Sequence, residues 1–342
     1  MKQIDAVITW VDGADARWRA KRQVMSGPDS QLATANVEGR FRDNGELRYL
    51  LRSLERYWPF AGMIYLVTDE QVPDFLAHSP RLKIIDHRDI LDAEYLPTFS
   101  SRAIESALHK IPGLAEHFVA FNDDVLLARP VQHEDFFGRL GCMVYLTDEL
   151  LPLSSAAEAL SGHNDALNAR RWMLANTGAS SIDRVSEHSP KGIRKSWMQA
   201  LEDAHPELFH QTRSEQVRQL GGQSILSNLY GDWCLSQGRA EIRLNQCEYH
   251  YSDALESAAD LHACLRAAMG HKLSICINDT TDDRQDVSQL QQHYTTALEQ
   301  LFSTPSVYER STVNRAAQQP AAEHSRPNSD ADAWPLAGML SA

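Results

Sequence analysis

Acidic and amide side chains follow three apolar, strand-like segments of the chain. Asp12, Asn122–Asp124 and Asn278–Asp279 each come directly after such a segment. Because the carboxyl ends of parallel strands meet at one edge of a sheet, we expect these side chains to converge on one crevice. Asp and Asn also end strands simply as turn residues, which is the better interpretation of any one of the three sites alone. The coincidence of three favours a ligand site.

The adjacent pair Asp123 and Asp124 is the strongest metal-site candidate. Two neighbouring carboxylates repel each other unless a cation or a hydrogen-bond donor lies near them. Carboxylate and amide oxygens are hard ligands that suit Mg²⁺ or Mn²⁺ bridging a diphosphate. We therefore predict that this pair holds one of these two cations.

A second polar cluster begins at Arg40 and leads into a predicted helix. Arg48 and Arg52 lie four residues apart on one face of that helix, with Asn44 and Glu46 at its start. A helix N-terminus together with arginines can bind phosphate bidentately. On composition alone, a capped surface helix with solvated charges is the better interpretation.

Histidine is the natural candidate for a base, because a hydroxyl that attacks phosphorus must lose its proton. The chain has 14 His, so the residue type alone selects none of them. His188 lies in a loop before a predicted helix, where a side chain can face a cleft, whereas His109 on a helix beside Glu105 is better explained as packed or surface-bound. Arg218 is a candidate for stabilising a transferring phosphoryl group, with an ordinary solvated arginine as the alternative.

The elements that must position these residues alternate between strands and helices, which predicts an α/β fold with a Rossmann-like, largely parallel sheet flanked by helices. Predicted strands cover 4–10, 63–68, 82–85 and 118–121, and predicted helices cover 72–76 and 101–111. A further helix from Asn44 to Pro59 has large apolar residues at helical spacing, namely Leu47, Leu50, Leu51, Leu54 and Trp58.

The second half of the chain is richer in helical patterns. We predict a helix-rich insertion at about 150–270, with an amphipathic stretch at 155–160 among its helices. Strands at 240–244 and 273–277 are expected to return to the main sheet. A last helix is predicted at 286–302. We expect 1–309 to form a single domain and the polar segment 310–342 to be a disordered tail.

Composition excludes several classes of protein. The formal net charge of -13, from 33 Lys+Arg against 46 Asp+Glu, argues against a bulk nucleic-acid binder. The five cysteines form no C-x-x-C pair, which favours free thiols in a reducing compartment. The first residues lack the pattern of a signal peptide, and no stretch reaches the roughly 20 apolar residues of a membrane span. We therefore predict a cytoplasmic protein.

Four sequence blocks carry a family resemblance. The first, at 4–13, reads IDAVITWVDG, and the second runs over 40–124 from RFRDNGELRY to FNDD. The third holds HSP at 188–190 and, farther on, Arg218, and the fourth reads ICIND at 275–279. Together these blocks resemble the Stealth proteins. That family includes bacterial capsular and exopolysaccharide phosphotransferases and the animal lysosomal-enzyme N-acetylglucosamine-1-phosphotransferase.

The resemblance implies an enzyme that moves hexose 1-phosphate from a nucleotide diphosphate sugar, such as UDP-N-acetylglucosamine, onto a polysaccharide hydroxyl. The product is a phosphodiester in a capsule or exopolysaccharide, and a nucleoside monophosphate leaves. The residues that match motif positions are Asp12, Asn44, Glu46, Arg48, Asp123, Asp124, His188, Arg218, Asn278 and Asp279.

Chemical roles for the matching residues are our inference. His188 is expected to act as the base, Arg218 and Arg48 to hold phosphate oxygens, and Asp123 and Asp124 to bind the cation. Asp12, Asn44, Glu46, Asn278 and Asp279, together with His109, are expected to bind substrate. The expected partners are the nucleotide-sugar donor, a polysaccharide or oligosaccharide acceptor and, by peripheral contact, a membrane-bound polysaccharide assembly complex; no nucleic acid is expected.

Two other functions remain open on the sequence. A glycosyltransferase with the same acidic tip would attack the anomeric carbon and release UDP, whereas a phosphotransferase releases UMP. A non-catalytic polysaccharide-binding or assembly protein is the second alternative. Intact candidate residues at all three strand ends argue against the second alternative.

Overall fold

Apolar segments and amphipathic segments alternate along the chain, and the computed structural model folds them as strands and helices over residues 3–25, 36–155, 161–251, 257–281 and 286–310. The strands are β1 (Ile4–Thr9), β2 (Ile64–Thr68), β3 (Leu82–Asp86), β4 (His117–Asn122), β5 (Val125–Leu127), β6 (Cys142–Leu150), β7 (Arg184–Ser186), β8 (Lys191–Arg194), β9 (Ala240–Leu244), β10 (Cys247–Tyr251) and β11 (Ser274–Asn278). The helices are α1 (Ala16–Met25), α2 (Glu46–Tyr57), α3 (Ser101–Glu105), α4 (Ser161–Thr177), α5 (Lys195–Ala204), α6 (Pro206–Ser214), α7 (Tyr230–Ser236), α8 (Ala258–Ala268) and α9 (Val287–Leu301).

The main sheet has five strands in the order β3-β2-β1-β4-β8. The first four are parallel to one another, and β8 joins the edge of β4 antiparallel. Strand β1 lies in the middle and is apolar almost throughout, as expected for a parallel strand covered on both faces. The predicted α/β fold with a Rossmann-like, largely parallel sheet is therefore confirmed.

Helix α2 covers one face of the main sheet through the residues that its spacing predicted. Leu47, Leu50, Leu51, Leu54 and Trp58 are each at most 1% exposed. Gly45 precedes the helix with a φ of 88°, a left-handed conformation that favours glycine. Because this turn redirects the chain before α2 begins, the polar residues ahead of the helix can reach the end of the sheet.

Two smaller sheets complete the architecture, in the orders β10-β11-β5 and β7-β6-β9. The prediction that the strands near 240–244 and 273–277 return to the main sheet is wrong. Strand β9 pairs with β6, and β11 pairs with β10 and β5. The edge of the main sheet beside β4 is taken by β8. An apolar pattern specifies a strand without specifying its neighbour.

Local differences from the predicted elements have simple causes. The segment 72–76 is a turn rather than a helix, because Pro73 disfavours a helical conformation at the residue before it. The predicted helix at 101–111 is split into α3 and a short 3₁₀ helix, Leu108–Lys110. The segment 156–160 and the predicted tail from 311 onward lie outside the described residues. Arg310 is described and donates a hydrogen bond from Nε to the Leu76 carbonyl over 3.0 Å.

None of the helices in the described ranges combines the length and the apolar character that a membrane span requires.

Candidate active site

A cavity of about 950 Å³ lies at the carboxyl ends of β1 and β4. The chain runs from β1 outward to β2 and β3 and then returns to the other side of β1 as β4, so the strand order reverses at this point. Ligands of open α/β sheets bind at such a reversal. Further walls come from the 3₁₀ helix Glu38–Phe41, the loop before β8, strand β10 and the end of β11.

Most of the side chains predicted for the site line this cavity. They come from segments far apart in the chain and are Glu46, Asp123, Asp124, His188, Arg218, Asn278 and Asp279. The end of β11 reaches the cavity from one of the smaller sheets, so the expected convergence occurs although the three strand ends do not share one sheet.

The neighbouring carboxyls Asp123 and Asp124 differ in their electrostatic environment. Burial and the charge of Asp124 raise the pKa of Asp123 well above its ordinary value. Burial also acts to raise the pKa of Asp124, but the His188 imidazole and the Cys276 thiol outweigh it and lower that pKa. The two pKa values therefore move apart, and the negative charge is favoured on Asp124 over Asp123.

His188 faces Asp124 across the cavity, with 3.5 Å between Nε2 and Oδ1. Its loop is held by its neighbours: Lys191 Nζ donates hydrogen bonds to the Glu187 carbonyl over 2.6 Å and to Ser189 Oγ over 3.0 Å. The Glu187 carboxylate accepts hydrogen bonds from the backbone N–H groups of Gln246 and Cys247 just before and at the start of β10. The base candidate thus lies on a braced loop, about one-third exposed to the cavity.

Arg40 and Arg218 bring two positive charges into the same cavity. Burial lowers the pKa of Arg218 to about 10, and the charges of Arg40 and Arg102 act in the same direction. The Nε of Arg218 is buried and has no hydrogen-bond partner, whereas Arg40 Nη1 donates to Asn278 Oδ1 over 2.9 Å. Neighbouring guanidinium groups in a concave site are suited to an anion with several oxygens, such as a diphosphate.

The approach of Arg40 to the end of β11 depends on Gly39. A Cβ at that position would lie 2.5 Å from Asp279 Oδ1 and 2.8 Å from the Thr281 carbonyl oxygen. The Gly39 N–H donates to that same carbonyl over 2.9 Å. A side chain at residue 39 would therefore push the arginine-bearing segment away from Asn278.

Two predicted site residues lie behind the cavity wall and shape its turns. Asp12 Oδ1 accepts a hydrogen bond from the Ala14 N–H over 2.8 Å, and the Asp12 backbone exchanges hydrogen bonds with the Gln71 side chain. Asn44 is buried, with Nδ2 3.4 Å from Asp279 Oδ2. The contacts of Asp12 are those of a turn residue, and Asn44 contacts the cavity residue Asp279. Their predicted roles in substrate binding stay predictions.

Two other predicted residues are placed away from the cavity. Arg48 projects from α2 over the ring of Phe75, with its Nε 3.9 Å from Glu309 Oε2. His109 is buried, with Nε2 2.8 Å from Glu202 Oε2, and burial lowers its pKa. Neither residue lines the cavity: the side chain of Arg48 lies on another surface of α2, and that of His109 lies in the protein interior beside Glu202. Their predicted roles in phosphate and substrate binding stay predictions.

Several cavity residues were missed by the site prediction, although some stand in the resembling blocks. Arg40 opens the second block, but the helical spacing drew attention to Arg48 instead. Glu105 follows in the same block; burial raises its pKa, and Oε2 accepts a hydrogen bond from Ser227 over 3.0 Å. Tyr249 carried no signal, because aromatic residues in strands are usually core residues. Cys276, in the fourth block, is buried behind the cavity lining and contacts Asp124, with 3.2 Å between Sγ and Oδ2.

Asp124 also belongs to a cluster of three metal-ligand types. One ligand atom each of Asp124, His188 and Cys276 lies within 4.8 Å of the others. The Oδ1 atom of Asp124 is buried without a hydrogen-bond partner, although a buried carboxylate oxygen normally has one. A buried anionic oxygen that has the His188 imidazole 3.5 Å away but no hydrogen bond, beside a second carboxyl, is an environment that a divalent cation would satisfy, so the residues present fit a cation.

Two family models of known proteins match this chain. The family model described as Stealth protein CR1, conserved region 1, matches residues 2–23, and that described as Stealth protein CR2, conserved region 2, matches 40–144. These ranges contain β1, the arginine segment and the Asp123–Asp124 pair.

Named relatives match most of the chain. It is 36% identical over 315 residues to an exopolysaccharide phosphotransferase of Streptomyces coelicolor, covering 90% of this chain and 51% of that protein. It is 31% identical over 310 residues to exopolysaccharide phosphotransferase CpsY of Mycobacterium tuberculosis, covering 90% and 58%. A Nocardia farcinica exopolysaccharide phosphotransferase is 32% identical over 325 residues, covering 94% and 63%. The chain thus spans between 51% and 63% of the length of these relatives. On both conserved regions and these relatives, the chain belongs to the Stealth family.

Proposed function

We propose that the protein transfers a hexose 1-phosphate from a nucleotide diphosphate sugar to a hydroxyl of a polysaccharide in exopolysaccharide or capsule synthesis. The observation that carries this proposal is the meeting of Arg40 and Arg218 with Asp124 and His188 in one cavity. The two arginines can bind the negatively charged diphosphate of the donor, and His188 can accept the proton of the attacking hydroxyl. The names of the relatives support the same reaction class.

The reaction is an in-line displacement at the β-phosphorus of the donor. The acceptor oxygen forms a new P–O bond, and the bond between that phosphorus and the bridging oxygen breaks. The bridging oxygen leaves with the nucleoside monophosphate, so the product is a sugar phosphodiester. Positioning and charge stabilisation dominate catalysis of this kind, because the phosphoryl group carries spread negative charge in the transition state.

The side chains divide this work by chemistry. His188 Nε2 accepts the hydroxyl proton as the new bond forms, and Asp124 beside it favours the resulting imidazolium. Arg218 and Arg40 bind the phosphate oxygens whose charge grows in the transition state. Arg40 is oriented for this by Asn278.

Asp123 and Asp124 are the residues that would hold Mg²⁺ or Mn²⁺. When bound, such a cation neutralises charge on the diphosphate and favours departure of the nucleoside monophosphate. Oxygen ligands from neighbouring carboxylates suit both ions. The carboxyls themselves lie at the end of a buried strand, which keeps their backbone in place.

The acceptor subsite is assigned to the side of the cavity formed by β10. Tyr251 lines the cavity and is 45% exposed, and its ring packs edge-on against Tyr249 with 5.1 Å between ring centroids. Tyr249 in turn lies 5.8 Å from the His188 ring. An exposed aromatic ring offers an apolar face to the C–H face of a sugar, so a pyranose that stacks on Tyr251 would lie on the same side of the cavity as His188.

The expected partners follow from this chemistry. The donor is a nucleotide sugar, with UDP-N-acetylglucosamine as the first candidate, and the acceptor is a polysaccharide or oligosaccharide rather than a nucleic acid. A cytoplasmic location with peripheral contact to a membrane-bound assembly complex belongs to the same proposal. The five cysteines, which are free thiols, support a reducing compartment.

The test is to identify the nucleotide released from UDP-N-acetylglucosamine in the presence of Mg²⁺ and an oligosaccharide acceptor. Acceptor-dependent UMP is the expected product. Acceptor-dependent UDP would establish a glycosyltransferase instead and overturn the proposal. Other nucleotide sugars are assayed in parallel, and failure of all of them to give a monophosphate would also contradict it. Asp123→Asn serves as the site-defective control, with Asp74→Asn on a distant loop as its matched partner.

A further inference from the structure

The cluster of Asp124, His188 and Cys276 combines oxygen, nitrogen and sulfur, which is an unusual ligand set for a magnesium-dependent site. Mg²⁺ and Mn²⁺ take oxygen ligands, whereas a thiolate selects softer ions such as Zn²⁺. Zn²⁺ is commonly bound by three protein ligands of these types, with a fourth position left open. The donor set of this cluster therefore matches a different class of ion from the one that the transfer reaction needs.

The ligand atoms lie close together, although not yet at the separations of a bound ion. Ligand atoms at zinc-like bond lengths lie about 3.3 to 3.8 Å apart around a tetrahedral centre. Asp124 Oδ2 lies 3.2 Å from Cys276 Sγ, and Asp124 Oδ1 lies 3.5 Å from His188 Nε2. One ligand atom of each of the three side chains lies within 4.8 Å of the others, so their side chains must move closer together to share one ion.

The backbone holds two of these ligands in fixed relation. Cys276 lies in the middle of β11 and pairs in register with Val125 of β5, the residue directly after Asp124. His188 is held from the other side by its braced loop, through the Lys191 contacts to Glu187 and Ser189. Such supporting contacts orient ligands and strengthen metal binding.

We propose that a zinc-class divalent cation binds to Asp124, His188 and Cys276, and that it inhibits the transferase by occupying the nitrogen that His188 uses for proton transfer. On binding, the Cys276 thiol loses its proton to solvent and forms a metal–sulfur bond. A metal-bound Nε2 cannot accept a proton, so the bound cation removes the base. The binding half stands on the cluster alone, whereas the inhibition half rests on the proposed function.

Binding is tested without substrate on the full chain freed of metal by a chelator. Zn²⁺ is titrated against a chromophoric chelator, and Co²⁺ is used as a spectroscopic probe. We expect one equivalent of Zn²⁺ to bind and the Co²⁺ form to show a sulfur-to-metal charge-transfer band. Cys276→Ser should abolish that band and weaken Zn²⁺ binding by about 10²-fold or more, beyond the effect of losing a supporting contact. Cys264 lies on α8 and is not part of this cluster, so Cys264→Ser should bind Zn²⁺ and Co²⁺ as the unmodified chain does.

Two results would overturn the binding half: a Co²⁺ form of the unmodified protein without a thiolate band, or Zn²⁺ affinity unchanged by Cys276→Ser. The first needs no variant, so it decides the matter even if Cys276→Ser fails to fold. For inhibition, Zn²⁺ should reduce transfer in saturating Mg²⁺, with the inhibitory concentration about 10²-fold higher in Cys276→Ser relative to that variant's own rate. Binding without inhibition would overturn the second half alone, and absence of any transferase activity would count against the proposed function instead.

Discussion

The ammonium group of Lys191 lies 2.6 Å from the carbonyl oxygen of Glu187, the residue directly before His188. It also donates to Ser189 Oγ, so the amino group bridges both sides of the histidine. Burial lowers the pKa of Lys191, and the charge of Glu187 acts against this lowering. The two hydrogen bonds that Nζ donates hold the backbone on both sides of the histidine and thereby orient its side chain.

Replacing that ammonium tests its positioning role. Lys191→Met should lower kcat by about 10-fold while the KM for the donor stays unchanged, because the imidazole loses its orientation and the phosphate site does not. Lys191→Arg should recover part of the loss, since it retains a donor. The matched control is Lys195→Met at the start of α5, with an unchanged rate expected. A parallel rise in donor KM would instead indicate that Lys191 binds phosphate.

The two histidines considered as bases give opposite expectations. His188→Ala should lower turnover by about 10²-fold or more with little change in donor affinity, because the hydroxyl proton then lacks an acceptor. His109→Gln should leave turnover close to normal but lower the thermal midpoint, since the buried contact with Glu202 is disturbed. Steady-state kinetics and thermal unfolding of both variants separate the roles. Equal losses of turnover would contradict the assignment of the base.

Sequence patterns predicted the parallel sheet well because each of its strands is a short apolar run that ends in a polar turn. They also found the Asp123–Asp124 pair, whose adjacent charges are informative without a fold. Sequence patterns could not tell which arginine side chain lines the cavity, because Arg48 and Arg40 have the same chemistry. The turn at Gly45 and the close backbone approach at Gly39 place Arg40 there. Tyr249 and Cys276 reach the site through a separate sheet, and strand pairing between distant segments is not encoded in local spacing.

The arginines make a prediction about charge. Arg218→Gln should lower kcat/KM for the donor by about 10²-fold or more, because a buried positive group opposite the transferring phosphoryl oxygens is lost. Arg218→Lys keeps the charge without the planar fork and should recover only a fraction. Arg48→Gln is the control on the other surface of α2, with kcat/KM expected within about 2-fold of normal, which is under 0.5 kcal/mol. An Arg48 defect as large as that of Arg218 would return Arg48 to the site.

His87 predicts how stability depends on pH. It is buried at the end of β3, and burial lowers its pKa from 6.5 to about 4. Below pH 6.5 His87 therefore binds a proton in the unfolded chain but stays neutral in the folded chain. As a result, the free energy of unfolding falls as the pH drops from 6.5 toward 4. Between pH 7 and pH 5 the loss is about 2 kcal/mol.

Many carboxyls also titrate between pH 7 and pH 5 and change the stability of the protein. The effect of His87 is therefore read from the difference in free energy of unfolding between the unmodified chain and His87→Gln. The free energy of unfolding of the unmodified chain, measured with urea at pH 7 and pH 5, should fall relative to that of His87→Gln. A constant difference between the two proteins at both pH values would show that His87 is protonated equally in the folded and unfolded states.

The aromatic wall predicts which substrate depends on Tyr251. Tyr251→Ala should raise the KM for the oligosaccharide acceptor by about 10-fold, corresponding to loss of about 1.4 kcal/mol of stacking, and leave the donor KM unchanged. Tyr251→Trp should retain acceptor binding, because the ring face is kept. Phe60→Ala removes a similarly exposed ring, 46% exposed, that does not line this cavity, and should change neither constant. The KM values for donor and acceptor are measured on the same variant. A rise in the donor KM alone would mean that the β10 side of the cavity binds the nucleotide sugar and that the acceptor enters from the side of Arg40 and Arg218.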